Sequence, residues 1–174
     1  MSDPTPSIPF PASYWVDPGR FLAGEYPATR YFDEKTRTRL GNLLDCGVTC
    51  IFDLTEEGEL PSYQKILQEQ AGWRGVEVTT QRFPIQNFGL PTRQQMKEIL
   101  NALDAALERG QGVYVHCWGG IGRTGTVVGC WLVRHGLSGK AALKRIEKLR
   151  IEVPGGYTSP ETDAQMEFVE YWKE

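Results

Sequence analysis

The most constraining stretch of this chain is short: Val113-Tyr114-Val115-His116 runs into Cys117, passes Gly119, Gly120 and Gly122, and reaches Arg123 ahead of an apolar run from Thr124 to His135. Four residues with β-branched and aromatic side chains suit a buried strand, and the longer run has the length of a helix. A strand that feeds a helix through a glycine-rich turn is the repeating unit of layered α/β domains.

The rest of the chain agrees with that layering. Trp15 to Pro27, turned at Pro18-Gly19, predicts a short strand near a sheet edge. Leu40, Leu43 and Leu44 share a face of a helix expected over 33–46, which Gly47 can close. Val48 to Phe52 predicts a buried strand that leaves Asp53 at its C-terminal end. A helix is expected over 63–70, and a strand over 76–83 that Pro84 stops. Thr92 and Gln95 have the capping-box spacing, opening a helix with Met96, Ile99, Leu100, Leu103 and Leu107 on one stripe. Ser138 caps another helix, and Ser159-Pro160 is expected to start the last, with Pro160 at its first position. The expected architecture is a central, mostly parallel sheet flanked by helices, preceded by a flexible Pro-rich arm over 1–13.

A chain of 174 residues, 40% of them hydrophobic, is suited to one domain with a real core. Its net charge of -3 gives no global attraction to nucleic acid or an anionic membrane. No basic segment precedes an apolar run at the N-terminus, and no stretch approaches the ~18 apolar residues of a membrane span, so a soluble cytoplasmic protein is expected. Cys46, Cys50, Cys117 and Cys130 are too few and too irregularly spaced for a disulfide framework or a C-x-x-C zinc site, and read as thiols in a reducing compartment.

The chemistry concentrates in the turn. Its glycines let the backbone curl until successive N–H groups aim at one spot, where an anion binds. The helix N-terminus adds partial positive charge, and the fork of Arg123 can grip two phosphate oxygens. Trp118, Gly119, Gly120, Ile121, Gly122 and Arg123 are the expected phosphate-binding set. The same field favours a thiolate at Cys117, set for in-line attack on phosphorus through a phosphocysteine. Thr124 has a hydroxyl that could reach the sulfur and help it leave. His116 is expected to support the loop through hydrogen bonds. A nucleotide-binding G-x-x-x-x-G-K-[S/T] turn would need a lysine that 120–126 lacks.

His116-Cys117-x-x-Gly120-x-x-Arg123-Thr124-Gly125 resembles the signature of protein tyrosine phosphatases, and the short chain looks most like their dual-specificity type. The loop is similar to that of the phosphatases associated with cyclin-dependent kinases. Phe83-Pro84-Ile85 with Pro91 resembles the family's acid loop, and Ser159-Pro160 with Gln165 its late glutamine segment. The resemblance implies a phosphatase domain over 14–174 and hydrolysis of a phosphomonoester on a phosphorylated protein or peptide, or on a small molecule. It implies neither metal nor cofactor, because Arg123 and the backbone hold the phosphate. It also assigns Gln165 the positioning of the hydrolytic water, although a surface helix glutamine is an equal reading.

The family's general acid is an aspartate after Phe-Pro-Ile, and here Asn87 stands there. An amide cannot release a proton, and a general acid contributes roughly 10²–10⁴-fold in rate. Three readings stay open. Another carboxylate serves, with Asp53 first and Glu56, Glu57 or Glu59 next; the enzyme acts slowly or on good leaving groups only; or Asn87 replaces an aspartate as in a trapping variant. Against the second carboxylate set, the run 55–59 also reads as a solvated surface loop. Arg82, Arg93 and Arg150 are further cations that could line the pocket, and Trp118 a wall that stacks on a substrate ring. Neutral Trp118 and Ile121 argue against a highly anionic inositol substrate. A phosphate-binding protein without turnover, and a redox role for Cys117 with Cys50 or Cys130, are the rival readings.

Overall fold

The computed structural model describes residues 6–31 and 33–174. Five strands form one sheet in the order β1-β2-β5-β3-β4. They are β1 (Ser13–Asp17), β2 (Phe21–Gly24), β3 (Val48–Asp53), β4 (Thr79–Arg82) and β5 (Gly112–His116). The pairs β2·β5, β5·β3 and β3·β4 are parallel, and β1 runs antiparallel to β2 at one edge. The expectation of a mostly parallel sheet therefore holds. The single edge strand expected over 15–27 is in fact a hairpin, because the Pro18-Gly19 turn folds both of its arms into the sheet.

Side chains alternate across the pleat and sort the helices onto two faces. Val113 and Val115 of β5 and Cys50 and Phe52 of β3 face α3 (Arg93–Glu108), α4 (Gly122–Arg134), α5 (Gly139–Leu149) and α6 (Asp163–Glu170). Tyr114 and Ile51 face the opposite side, under α1 (Asp33–Asp45) and α2 (Gln64–Arg74). Both faces of the central strands are thus buried, which is why β3 and β5 read as continuous apolar runs.

Caps explain where helices begin. Thr92 Oγ1 accepts from the Gln95 backbone at 3.0 Å, but the Gln95 side chain donates to Pro84 O at 2.7 Å, so the expected capping box is only half formed. Ser138 caps α5 as expected. The last helix starts later than expected: Thr162 and Gln165 form a complete capping box, so α6 begins at Asp163 and Pro160 lies ahead of it. Of the arm expected over 1–13, residues 1–5 lie outside the described residues. From Pro6 onward it is docked: Trp15 Nε1 donates to Pro6 O at 3.0 Å, Asn42 Nδ2 donates to Pro9 O at 3.0 Å, and Phe10 is buried. Among the described residues no helix is long and apolar enough to cross a membrane.

Candidate active site

In open parallel sheets, ligands bind beyond the carboxyl ends of the strands. Here Gly24, Asp53 and His116 end β2, β3 and β5 in register, and the chain leaves β5 into Cys117. The loop that follows packs directly on the end of β2. Gly120 sits at φ +67°, and a Cβ there would collide with the Gly24 backbone, so position 120 needs glycine twice over.

The carbonyls of this loop are held from outside. Cys117 O accepts from His116 Nδ1 at 2.9 Å, Trp118 O from Tyr26 N at 2.8 Å, and Gly120 O from Arg150 Nη1 at 2.7 Å. Ile121 O accepts from Ser159 Oγ at 2.6 Å, and Gly122 O from Thr126 Oγ1 at 2.8 Å. In a planar trans peptide the N–H points opposite to the carbonyl, so bracing these carbonyls outward turns the N–H groups of 118, 119, 121, 122 and 123 inward. The loop is built as an anion cradle at the N-terminus of α4.

His116 is fully buried and supports this arrangement. A carbonyl can only accept, so Nδ1 carries the hydrogen given to Cys117 O, and Nε2 accepts from Tyr63 Oη at 2.7 Å. Burial favours this neutral form, pulling the imidazole below its ordinary value despite the opposing pull of Asp53. Behind the loop, the buried Arg150 guanidinium lies 5.5 Å from the Tyr14 ring centroid; burial raises the Tyr14 phenol to about 12.

Arg123 is 2% exposed, a guanidinium sealed inside the fold. Glu59 grips it with both oxygens, Nη2–Oε1 at 2.6 Å and Nη1–Oε2 at 2.9 Å, and Nη1 also donates to Ile85 O at 2.9 Å. The fourth contact, Nη2 to Asn87 Oδ1, is the longest at 3.3 Å and the one a phosphate oxygen can most easily replace. The Arg123 hydrogen bonds pull the Glu59 carboxyl below its usual range. Burial works against the Arg123 charge, and Glu59 and Cys117 together more than offset it. Glu59 therefore does not belong to a solvated loop. Glu56 and Glu57 remain exposed.

A cavity of about 230 Å³ opens over the loop, lined by Asn87, Phe88, Cys117, Trp118, Gly119, Ile121, Gly122, Arg123 and Glu161. Cys117 lies at its base, 3% exposed, and Phe88 and Trp118 stand exposed at its rim, with Arg30 5.7 Å from the Trp118 ring centroid. The hydroxyl of Thr124, next to Arg123, is buried with no hydrogen-bond partner among the described residues. The four cysteines are free, and burial raises the thiols of Cys50 and Cys130.

Several expected site residues are elsewhere. Asp53 is buried and outside the cavity: Oδ1 accepts from Thr55 N at 2.9 Å and Thr55 Oγ1 at 2.6 Å, and Oδ2 accepts from Arg82 at 3.1 Å. With its oxygens committed to these partners, it closes the end of β3. Gln165 is fully buried, its Oε1 accepting from the backbones of Glu161 and Thr162 and its Nε2 donating to Gly89 O at 3.1 Å. These bonds tie α6 to the 86–90 loop. Neither Arg82 nor Arg93 lines the cavity, and Arg150 braces the loop from behind. Sequence reasoning missed Phe88 and Glu161. Phe88 adopts φ +61°, and Glu161 immediately follows Ser159-Pro160.

A cysteine at the carboxyl end of a parallel strand, an inward ring of N–H groups and an arginine fixed at the helix start together make an anion cradle with a thiol beside it. Residues 28–137 match the family described as "Polymorphic toxin system, DSP-PTPase phosphatase", and the chain belongs to it. The crystal structure of Tk-PTP in its active form superposes with a TM-score of 0.69 at 30% identity, covering 92% of this chain and 95% of that one. Kinase associated phosphatase with its catalytic cysteine substituted by serine shares the fold, with a TM-score of 0.70 at 23% identity over 86% and 83% of the two chains. Human cyclin-dependent kinase inhibitor 3 is 32% identical over 95 residues, 52% of this chain and 42% of the relative. Matches to the first curated relatives span 42–63% of their length.

Proposed function

We propose that this chain is a cysteine-dependent protein phosphatase of tyrosine or dual specificity, with residues 14–174 as its catalytic unit. The observation that carries the reading is the outward bracing of the loop carbonyls around Cys117. Cys117 Sγ attacks phosphorus in line, the inward N–H groups and Arg123 hold the equatorial oxygens as charge spreads, and the phosphoryl group passes to sulfur. Water then attacks phosphorus and the electron pair returns to sulfur, with the unpartnered Thr124 hydroxyl available to the departing thiolate. The exposed rings of Phe88 and Trp118 favour an aryl phosphate, hence phosphotyrosine in a protein or peptide. Four free thiols suit a reducing compartment such as the cytoplasm.

Steady-state hydrolysis of an activated aryl phosphate and of a phosphotyrosine peptide tests this. Turnover that Cys117→Ser abolishes is the expected result. Stoichiometric phosphate binding with no Cys117-dependent turnover would make the chain a phosphate-binding protein instead.

A further inference from the structure

The cavity contains a cysteine, an arginine and a phosphate cradle, and the position after Phe83-Pro84-Ile85 supplies only the amide of Asn87. An aryl oxygen leaving phosphorus needs a proton. Glu59 is held ionised by Arg123, Asp53 is spent on Thr55 and Arg82 behind the sheet end, and Glu56 and Glu57 do not line the cavity. One carboxyl group does line it, that of Glu161.

The surroundings of Glu161 fix it there. Its backbone N–H donates to Gln165 Oε1 at 3.1 Å, Ser159 two residues earlier donates to Ile121 O at 2.6 Å, and Gln165 Nε2 ties the same segment to Gly89 O at 3.1 Å. These bonds dock 159–165 between the phosphate loop and the loop that carries Asn87. Glu161 Oε2 lies 3.1 Å from where a Cβ on Gly122 would sit, which puts the carboxyl group against the start of α4 and the cradle.

We propose that Glu161 is the proton donor of this site, replacing the acid absent at position 87; this rests on the phosphatase reading above. As the Sγ–P bond forms and the P–O bond to the leaving group breaks, the Glu161 proton passes to the leaving oxygen. The carboxylate left behind takes a proton from the water that later cleaves the phosphocysteine, which restores it.

The test compares kcat/KM, which reports transfer to sulfur, for a phosphotyrosine peptide and for an aryl phosphate with a strongly acidic leaving group. The proteins are the parent, Cys117→Ser, Glu161→Gln, Asn87→Asp and the Glu161→Gln/Asn87→Asp double variant. Glu161→Gln is expected to lose about 10²-fold on the peptide and less than about threefold on the activated ester, because only the poor leaving group needs the proton. Asn87→Asp should restore the peptide reaction in the double variant. Equal losses on both substrates, or no loss on either, would overturn the assignment while leaving the phosphatase reading intact. Absence of Cys117-dependent turnover in the parent would overturn that reading itself.

Discussion

The two loops that meet over the cavity are built in opposite ways. The phosphate loop is over-determined: five carbonyls are held by named donors, Gly120 fits only as glycine, and Arg123 is clamped by a carboxylate and a carbonyl. The loop over 86–90 is tied by Gln165 to Gly89 O, by the long Arg123–Asn87 contact and by local turns, and it carries Phe88 exposed at φ +61°. On the proposed function, rigidity stands where charge must be held, and looser chain where a substrate would enter and leave. The contrast predicts that damage to the first loop is costly on every substrate, whereas damage to the second is small and substrate-dependent.

The largest expected effect is on the rigid side. Arg123→Lys removes the planar fork and leaves a point charge, and kcat/KM should fall about 10³-fold on activated and ordinary esters alike. Glu59→Gln leaves a buried guanidinium without its counter-charge and should lower stability by about 3 kcal/mol, read as a lower denaturation midpoint in urea. Because the folded-state value of Glu59 is depressed by Arg123, its contribution is complete above the ordinary glutamate range and fades as pH falls through the folded value. The stability gap between parent and Glu59→Gln should therefore be full at neutral pH and narrow in acid; a pH-independent gap would show that the ion pair is not its source.

Arg150→Met keeps an apolar stem against Tyr14 but frees Gly120 O, so inhibition by inorganic phosphate should weaken about tenfold, the worth of one charge-assisted hydrogen bond. The smallest effect belongs to the second loop. Phe88→Gly relieves a left-handed backbone and should raise stability by about 1 kcal/mol, while raising KM for aryl but not alkyl phosphates a few-fold. Loss of both substrate types together would erase the contrast between the loops.

The same contrast explains what was legible in the sequence. Strand β5, the glycine turn and α4 form one contiguous segment whose local preferences all agree, so the strand-end cysteine, the cradle and the sheet could be read directly. Contacts between distant segments could not. Glu59 pairs with a residue 64 positions away, and within its charge run nothing sets it apart from the exposed Glu56 and Glu57. Gln165 had the capping spacing with Thr162, a local signal that outranked Ser159-Pro160 as the helix start. Asp53 was placed correctly at the end of β3, but Thr55 and Arg82 absorb its oxygens, which only the folded geometry reveals. Glu161 carried no pattern of its own; its place beside Gly122 appears only in the folded geometry.

The most direct test of the central claim is to acid-quench the reaction with an activated aryl phosphate within its first turnovers and map the covalent adduct by mass spectrometry. A single phosphoryl group is expected on the peptide that contains Cys117, formed at the burst rate and absent from Cys117→Ser. Turnover without any adduct on that peptide, or turnover that survives Cys117→Ser, would contradict it.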